Sequence, residues 1–151
     1  WWHKAVSRSA LEVPWLSPAT AKVNFMTSDA SGTGCGVWSG SSLLAHTWNL
    51  AQRRRHINWL ELWPLLAALR RFGPSWKHSV VVTGTDSLVV MLGVNAGRSS
   101  SPAHLALLKE LSALLQELDI ILVSVWLPRE HNIVADSLSK HPSWFPPLVV
   151  A

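Results

Sequence analysis

At 151 residues, 48% hydrophobic and only 15% charged, the chain has the size and apolar content of one folded domain and not of a disordered segment. Thirteen Lys and Arg against nine Asp and Glu leave a net charge of +4, which suits a polyanionic partner without requiring one. The single cysteine, Cys35, excludes an internal disulfide and a multi-thiolate zinc site, and no apolar run approaches the roughly 20 residues of a membrane span.

Residues 1–20 mix Trp, Ser and Pro without periodicity and read as a connector from an upstream domain. Trp1-Trp2-His3-Lys4 lacks the regions of a secretory signal, so an intracellular place, cytoplasm or nucleus, is expected. Neither end reads as a natural terminus, which implies a piece of a longer polypeptide. The ordered domain should span residues 21–140. Val23 to Ser28 predicts a strand ending in Asp29, and Cys35 to Ser39 and Leu43 to Trp48 predict two more, joined by Gly40-Ser41-Ser42 into an antiparallel meander. Trp59 to Phe72 carries Leu62, Leu65, Leu66, Leu69 and Phe72 at helical spacing, and Gly73-Pro74 stops it. Pro64 within it threatens a kink or a later start that would displace Glu61.

Ser79 to Thr83 is β-branched and predicts a buried strand, reached by a helical crossover and so parallel to a neighbour. A short helix, Ser87 to Val94, a loop, Gly97 to Ser101, and a long helix, Pro102 to Leu118, follow. Ile120 to Trp126 is the fifth predicted strand and Asn132 to Lys140 the last helix. Residues 141–151 form a Pro-rich tail that can neither extend a helix nor enter a central strand. The order β-β-β-α-β-α-α-β-α predicts an α/β fold, a mixed five-stranded sheet flanked by helices. Ligands in such sheets gather at strand carboxyl ends.

Four carboxylates stand in unusually apolar surroundings: Asp29, Glu61 in Leu60-Glu61-Leu62-Trp63, Asp86 after Val80-Val81-Val82-Thr83-Gly84-Thr85, and Asp136 in Val134-Ala135-Asp136-Ser137-Leu138. Charges so placed are costly unless paired or metal-bound. Each has a structural alternative. Asp29 and Asp86 could open turns or cap helices. Asn58-x-x-Glu61 has capping-box spacing, in which Glu61 bonds the backbone at residue 58. The runs Arg53-Arg54-Arg55 and Arg70-Arg71 are either solvated faces or phosphate contacts. Most of the ten tryptophans should pack in the core, with base stacking the alternative.

Four motifs in order, Thr27-Ser28-Asp29-Ala30-Ser31-Gly32, Asn58 with Glu61-Leu62, Thr85-Asp86-Ser87, and Asn132-Ile133-Val134-Ala135-Asp136-Ser137-Leu138, resemble those of the ribonuclease H family over roughly residues 23–140. The resemblance is to the RNase H domain that follows reverse transcriptase in a retroelement polyprotein, and Trp126 to Asn132 with the ending Asp136-Ser137-Leu138-Ser139-Lys140 is most similar to the tyrosine-recombinase (DIRS-like) group. It implies two Mg²⁺ or Mn²⁺ ions about 4 Å apart. By that resemblance Asp29 bridges them, Asp136 helps hold the ion that activates water, and Glu61 with Asp86 holds the ion facing the leaving oxygen. The implied substrate is the RNA strand of an RNA–DNA hybrid, cut to a 5′-phosphate and a 3′-hydroxyl, with an upstream reverse transcriptase domain as partner. Asn58 and Ser87 are candidates to touch the 2′-hydroxyls, and Arg53, Arg54 and Arg55 to touch phosphates. His131 is a candidate for the family's mobile histidine but directly precedes Asn132, closer to the last Asp than is usual; both are counted as auxiliary candidates.

Two other readings compete. One is a catalytically inactive RNase H-like module that binds nucleic acid within a larger polymerase; the other is a transposase or integrase core, which places its glutamate after both aspartates, whereas Glu61 precedes Asp86. Gly32-Thr33-Gly34-Cys35-Gly36 has neither the spacing nor the following helix of a phosphate-binding loop, and reads as a tight turn and strand.

Overall fold

The computed structural model describes residues 22–40 and 42–145, so the predicted connector over residues 1–20 and the end of the tail lie outside the described residues. Five strands form one mixed sheet in the order β3-β2-β1-β4-β5. They are β1 Val23–Ala30, β2 Gly34–Ser39, β3 Ser42–Thr47, β4 Val80–Thr85 and β5 Ile121–Trp126. The first three make the antiparallel meander, and β4 and β5 add in parallel. This is the predicted architecture.

The helices are α1 Leu50–Arg53, α2 Ile57–Phe72, α3 Leu88–Ala96, α4 Pro102–Leu118 and α5 Ile133–Lys140. The short α1 has too few apolar positions to show a period, and its only local signal is a capping box. The Asn49 carboxamide accepts from the Gln52 amide at 2.9 Å, and the Gln52 side chain accepts from the Asn49 amide at 3.1 Å. The capping box that is the alternative role for Glu61 does not form. His56 caps α2, its ring nitrogen accepting from the Asn58 amide at 3.2 Å, so the helix begins two residues earlier than Trp59 and Glu61 lies in its second turn. Pro64 is inside α2, which runs on to Phe72 around it. Pro64 lacks the amide that would bond the Leu60 carbonyl, and tight apolar packing on Leu60, Leu62, Leu65 and Leu66 holds the helix through that gap. No helix among the described residues is long and apolar enough to cross a membrane.

The core lies on one face of the sheet. Met26, Val81 and Leu122 meet Leu62, Leu65, Leu69 and Leu66 of α2, Val90 and Val94 of α3, and Leu108, Leu111 and Leu115 of α4. Alternation along a strand sends the odd-numbered residues of β1 to the other face. There α5 covers one end, and Val23, Phe25, Trp38, Leu43, Val123 and Val125 remain exposed at the other. The free edge of β5 is partly closed by Asn95 of α3, whose side chain donates to the Ser124 carbonyl at 2.8 Å and accepts from its amide at 2.9 Å.

The seat of α5 depends on a missing side chain. A Cβ at Gly36 would stand 2.2 Å from the Leu138 Cβ and 2.7 Å from the Ala135 carbonyl oxygen, so only glycine lets the helix lie this close to β2. Beyond α5, the turn Pro142–Trp144 folds back, with Pro142 buried against Gly34.

Candidate functional site

The β1–β4 register pairs Met26 with Thr83 and Thr27 with Gly84. Asp29 and Asp86 lie two residues past that last registered pair, near enough for the charge of Asp86 to act on Asp29. Asp29 is the penultimate residue of β1, inside the strand rather than just beyond it, because pairing with Gly36 of β2 continues through Ala30. Asp86 does lie just past its strand, half-buried, in the link to α3. That link is tied at both sides: Thr85 Oγ1 accepts from the Ser87 amide at 3.1 Å, and the Ser87 hydroxyl caps α3 by accepting from the Val90 amide at 3.3 Å.

Glu61 approaches from α2 on the core face, and Asp136 from α5 on the opposite face. The site therefore sits at the one end of the sheet that both helix layers reach. Side-chain hydrogen bonds fix α5 there. The Asn132 carboxamide donates to the Ser28 carbonyl at 2.9 Å, and the Ser139 hydroxyl donates to Asp29 Oδ2 at 2.7 Å.

The electrostatics differ among the four. Burial raises the pKa of Asp29, the Ser139 hydroxyl opposes that rise, and the negative charges of Asp86 and Asp136 add to it. Burial likewise raises Glu61, with the Ser87 side chain opposing and Asp86 and Asp29 reinforcing. Asp136 goes the other way: desolvation pushes it up, but hydrogen bonds and charge from Lys140 and Arg129 together outweigh this and its pKa falls. Lys140 Nζ is 2.7 Å from Asp136 Oδ2, and Arg129 Nη2 is 3.2 Å from Oδ1.

Asp29, Asp86 and Glu61 thus repel one another across a partly buried space with no basic side chain bonded to any of them among the described residues. Hard oxygen donors held against their own repulsion suit a divalent cation such as Mg²⁺ or Mn²⁺. The carboxylates are near enough to feel each other's charge, yet among the described residues no group of three or more His, Cys, Asp or Glu is drawn together to hold an ion.

The remaining candidates fall into two groups. Asn58, half-buried in the first turn of α2, and Ser87 lie on the elements that carry Glu61 and follow Asp86. Arg53, Arg54 and Arg55 are exposed around the end of α1, with the Arg55 guanidinium 5.2 Å from the centre of the Trp59 ring. His131 is exposed in the turn Arg129–His131, whereas Asn132 is buried and tethers α5 to β1. Ser139, Lys140, Arg129 and Gly36 escaped the sequence reading. Helical spacing does put Ser139 and Lys140 three and four residues past Asp136, and a glycine within a strand is itself a sign of close approach.

A scan against protein-family models gives no match, and a search of curated proteins gives none either. Solved structures do match. The N-terminal RNase H domain of rv2228c from Mycobacterium tuberculosis, solved as a fusion with maltose-binding protein, is 20% identical at a TM-score of 0.63, covering 79% of this chain and 97% of that one. RNase H1 from the archaeon Halobacterium salinarum NRC-1 is 19% identical at a TM-score of 0.60, covering 79% and 94%. LC11-RNase H1, from compost by a metagenomic approach, in complex with an RNA/DNA hybrid is 20% identical at 0.62, covering 77% and 91%. With strand order, pairing and helix placement in agreement, the chain has the ribonuclease H-like fold.

Proposed function

We propose that this chain is a divalent-metal-dependent endonuclease that hydrolyses the RNA strand of RNA–DNA hybrids. The observation that carries the reading is the approach of Asp29 on β1 and Asp86 just past the parallel β4, with Glu61 and Asp136 brought to the same end from opposite faces. Likeness to a fold that has been solved with an RNA/DNA hybrid supports the substrate class. In this reading Asp29, Glu61, Asp86 and Asp136 hold two Mg²⁺ or Mn²⁺ ions, which when bound supply an activated water and stabilise the charge that develops on the phosphate. The chain's own groups prepare that chemistry. Ser139 orients Asp29 by donating to Oδ2, and the capped start of α3 fixes Asp86 beside β1. Asn58, on the helix that carries Glu61, and Ser87, next to Asp86, offer polar groups to the 2′-hydroxyls of the RNA strand. Arg53, Arg54 and Arg55 extend the surface toward backbone phosphates, giving affinity that falls with salt. His131 stands exposed beside the start of α5 as an auxiliary group.

The motif endings that resemble retroelement RNase H domains support a role in reverse transcription within a cell, in cytoplasm or nucleus, downstream of a polymerase domain joined through residues 1–20. A hybrid with labelled RNA tests the activity directly. Mg²⁺- or Mn²⁺-dependent cleavage is expected from the wild type and a loss of at least about a hundredfold from Asp29→Asn, since even outer-shell changes at metal sites cost 10–100-fold. Equal cleavage by both proteins would sink the proposal. The ion pairs that occupy Asp136 favour a second reading, an inactive module that binds hybrid without cutting it. Hybrid binding with no Mn²⁺ uptake by calorimetry would establish that one instead.

A further inference from the structure

Of the four carboxylates, Asp136 alone has both oxygens engaged by basic groups among the described residues, Arg129 on Oδ1 and Lys140 on Oδ2. The two partners reach it from different elements. Lys140 is one helical turn further along α5, and Arg129 is on the turn that precedes it. Their side chains are 66% and 47% exposed for Arg129 and Lys140, while that of Asp136 is 19% exposed. The anion is thus held in place and the cations are anchored only by their heads. Exposed pairs of this kind are weak, because water competes for each charge and ordering a long side chain costs entropy.

Asp29 is treated differently. Its donor is the neutral Ser139 hydroxyl, so nothing positive has to leave before a cation approaches. A divalent ion taking Asp136 must first displace a guanidinium, an ammonium or both.

We propose that Arg129 and Lys140 are displaceable counter-ions of Asp136: they occupy its carboxylate until a divalent cation takes it, then turn to the phosphates of bound nucleic acid. The inference rests on the two-metal reading and extends it to the order in which charge is exchanged. Once released, both heads lie at the solvent edge of the site, still carried by the turn and helix that border it. A docked duplex then offers its phosphates to both. Metal entry and substrate grip become linked, since an ion that takes Asp136 frees positive charge for the substrate.

The test uses the full chain in three forms: wild type, Arg129→Gln with Lys140→Gln, and the charge-retaining Arg129→Lys with Lys140→Arg, their folding checked by circular dichroism. Calorimetric titration with Mn²⁺ alone is the first readout. Removing the competing charges should tighten Mn²⁺ binding about threefold to tenfold, and the charge-retaining form should stay close to wild type. The second readout is the salt dependence of binding to a DNA duplex, which offers phosphates and no scissile RNA, in the presence of Mn²⁺. The neutral form should lose about one to two from the slope of log affinity against log salt. Unchanged or weaker Mn²⁺ binding in the neutral form overturns the counter-ion role, and an unchanged slope overturns the transfer to phosphate. Absence of Asp29-dependent Mn²⁺ binding in the wild type is a separate outcome: it defeats the two-metal reading itself, and the counter-ion role with it.

Discussion

The two faces of the sheet are built on different terms. On the α2–α4 face, Leu65, Leu69, Leu111 and Val81 are packed to essentially zero exposure and contribute by apolar burial alone. On the α5 face, one short helix is seated through a glycine, held by the Asn132 and Ser139 hydrogen bonds, and loaded with a carboxylate that carries two ion pairs. Apolar burial is concentrated on the α2–α4 face, which contributes Glu61 alone of the four carboxylates. The carboxylate end accepts desolvation and repulsion that the opposite face offsets.

That division can be broken in graded steps. Leu65→Ala should cost about 2–5 kcal/mol of stability by chemical denaturation, with Mn²⁺ binding retained wherever the protein is still folded. If metal binding fell in proportion, the faces would not be separable. Gly36→Ala puts a methyl group against the α5 backbone and should cost about 1–3 kcal/mol. It should also abolish hybrid cleavage in the folded fraction, because Asp136 moves with α5. An active Gly36→Ala variant would show that the seat is slack.

Asp29→Asn should act in opposite directions on the two properties. A carboxyl whose pKa is raised by folding contributes stability only at acid pH and loses it as pH rises through the raised value, so at neutral pH the ionised Asp29 opposes folding. The variant should therefore melt a few degrees higher than wild type without divalent cations, and the difference should shrink in acid. A lower melting temperature at neutral pH would count against repulsion as the feature of this end.

On the core face the pH-sensitive group is His104 of α4, buried at 2% exposure with no hydrogen-bond partner for either ring nitrogen among the described residues. Desolvation lowers its pKa below the ordinary 6.5. The fold's advantage from a neutral His104 is complete above that value and lost as pH falls through the lowered one. Melting curves from pH 7 to pH 4 should decline less steeply for His104→Leu than for wild type. The smallest effect belongs to Arg70→Ala, which breaks the exposed 2.9 Å pair with Glu110 between α2 and α4 and should change stability by less than about 1 kcal/mol.

Much of this molecule is legible from local pattern. Pro102 to Leu118 appears as the helix that its leucine spacing and N-terminal proline predict, and the strand signals at Val80 and Ile121 fall within a residue or two of their places. The points left open are those where local signals compete. Asn58 and Glu61 have capping-box spacing, but His56, two residues upstream, takes the cap. Pro64 signals a break that the buried leucines around it override.

The sequence by itself determined the order of the five strands and the longer helices, the mixed sheet and the four carboxylates as candidates, because periodicity, turn chemistry and the cost of charge in apolar surroundings are properties of neighbouring residues. Only the tertiary structure decided that β4 lies parallel against β1, in the register that brings Asp86 near Asp29. It alone joined Asp29 to Ser139, 110 residues away, and it alone brought Arg129 onto Asp136 and α5 onto Gly36. Those outcomes depend on how whole faces pack, and packing sums many weak contacts between distant residues that no short stretch of sequence encodes.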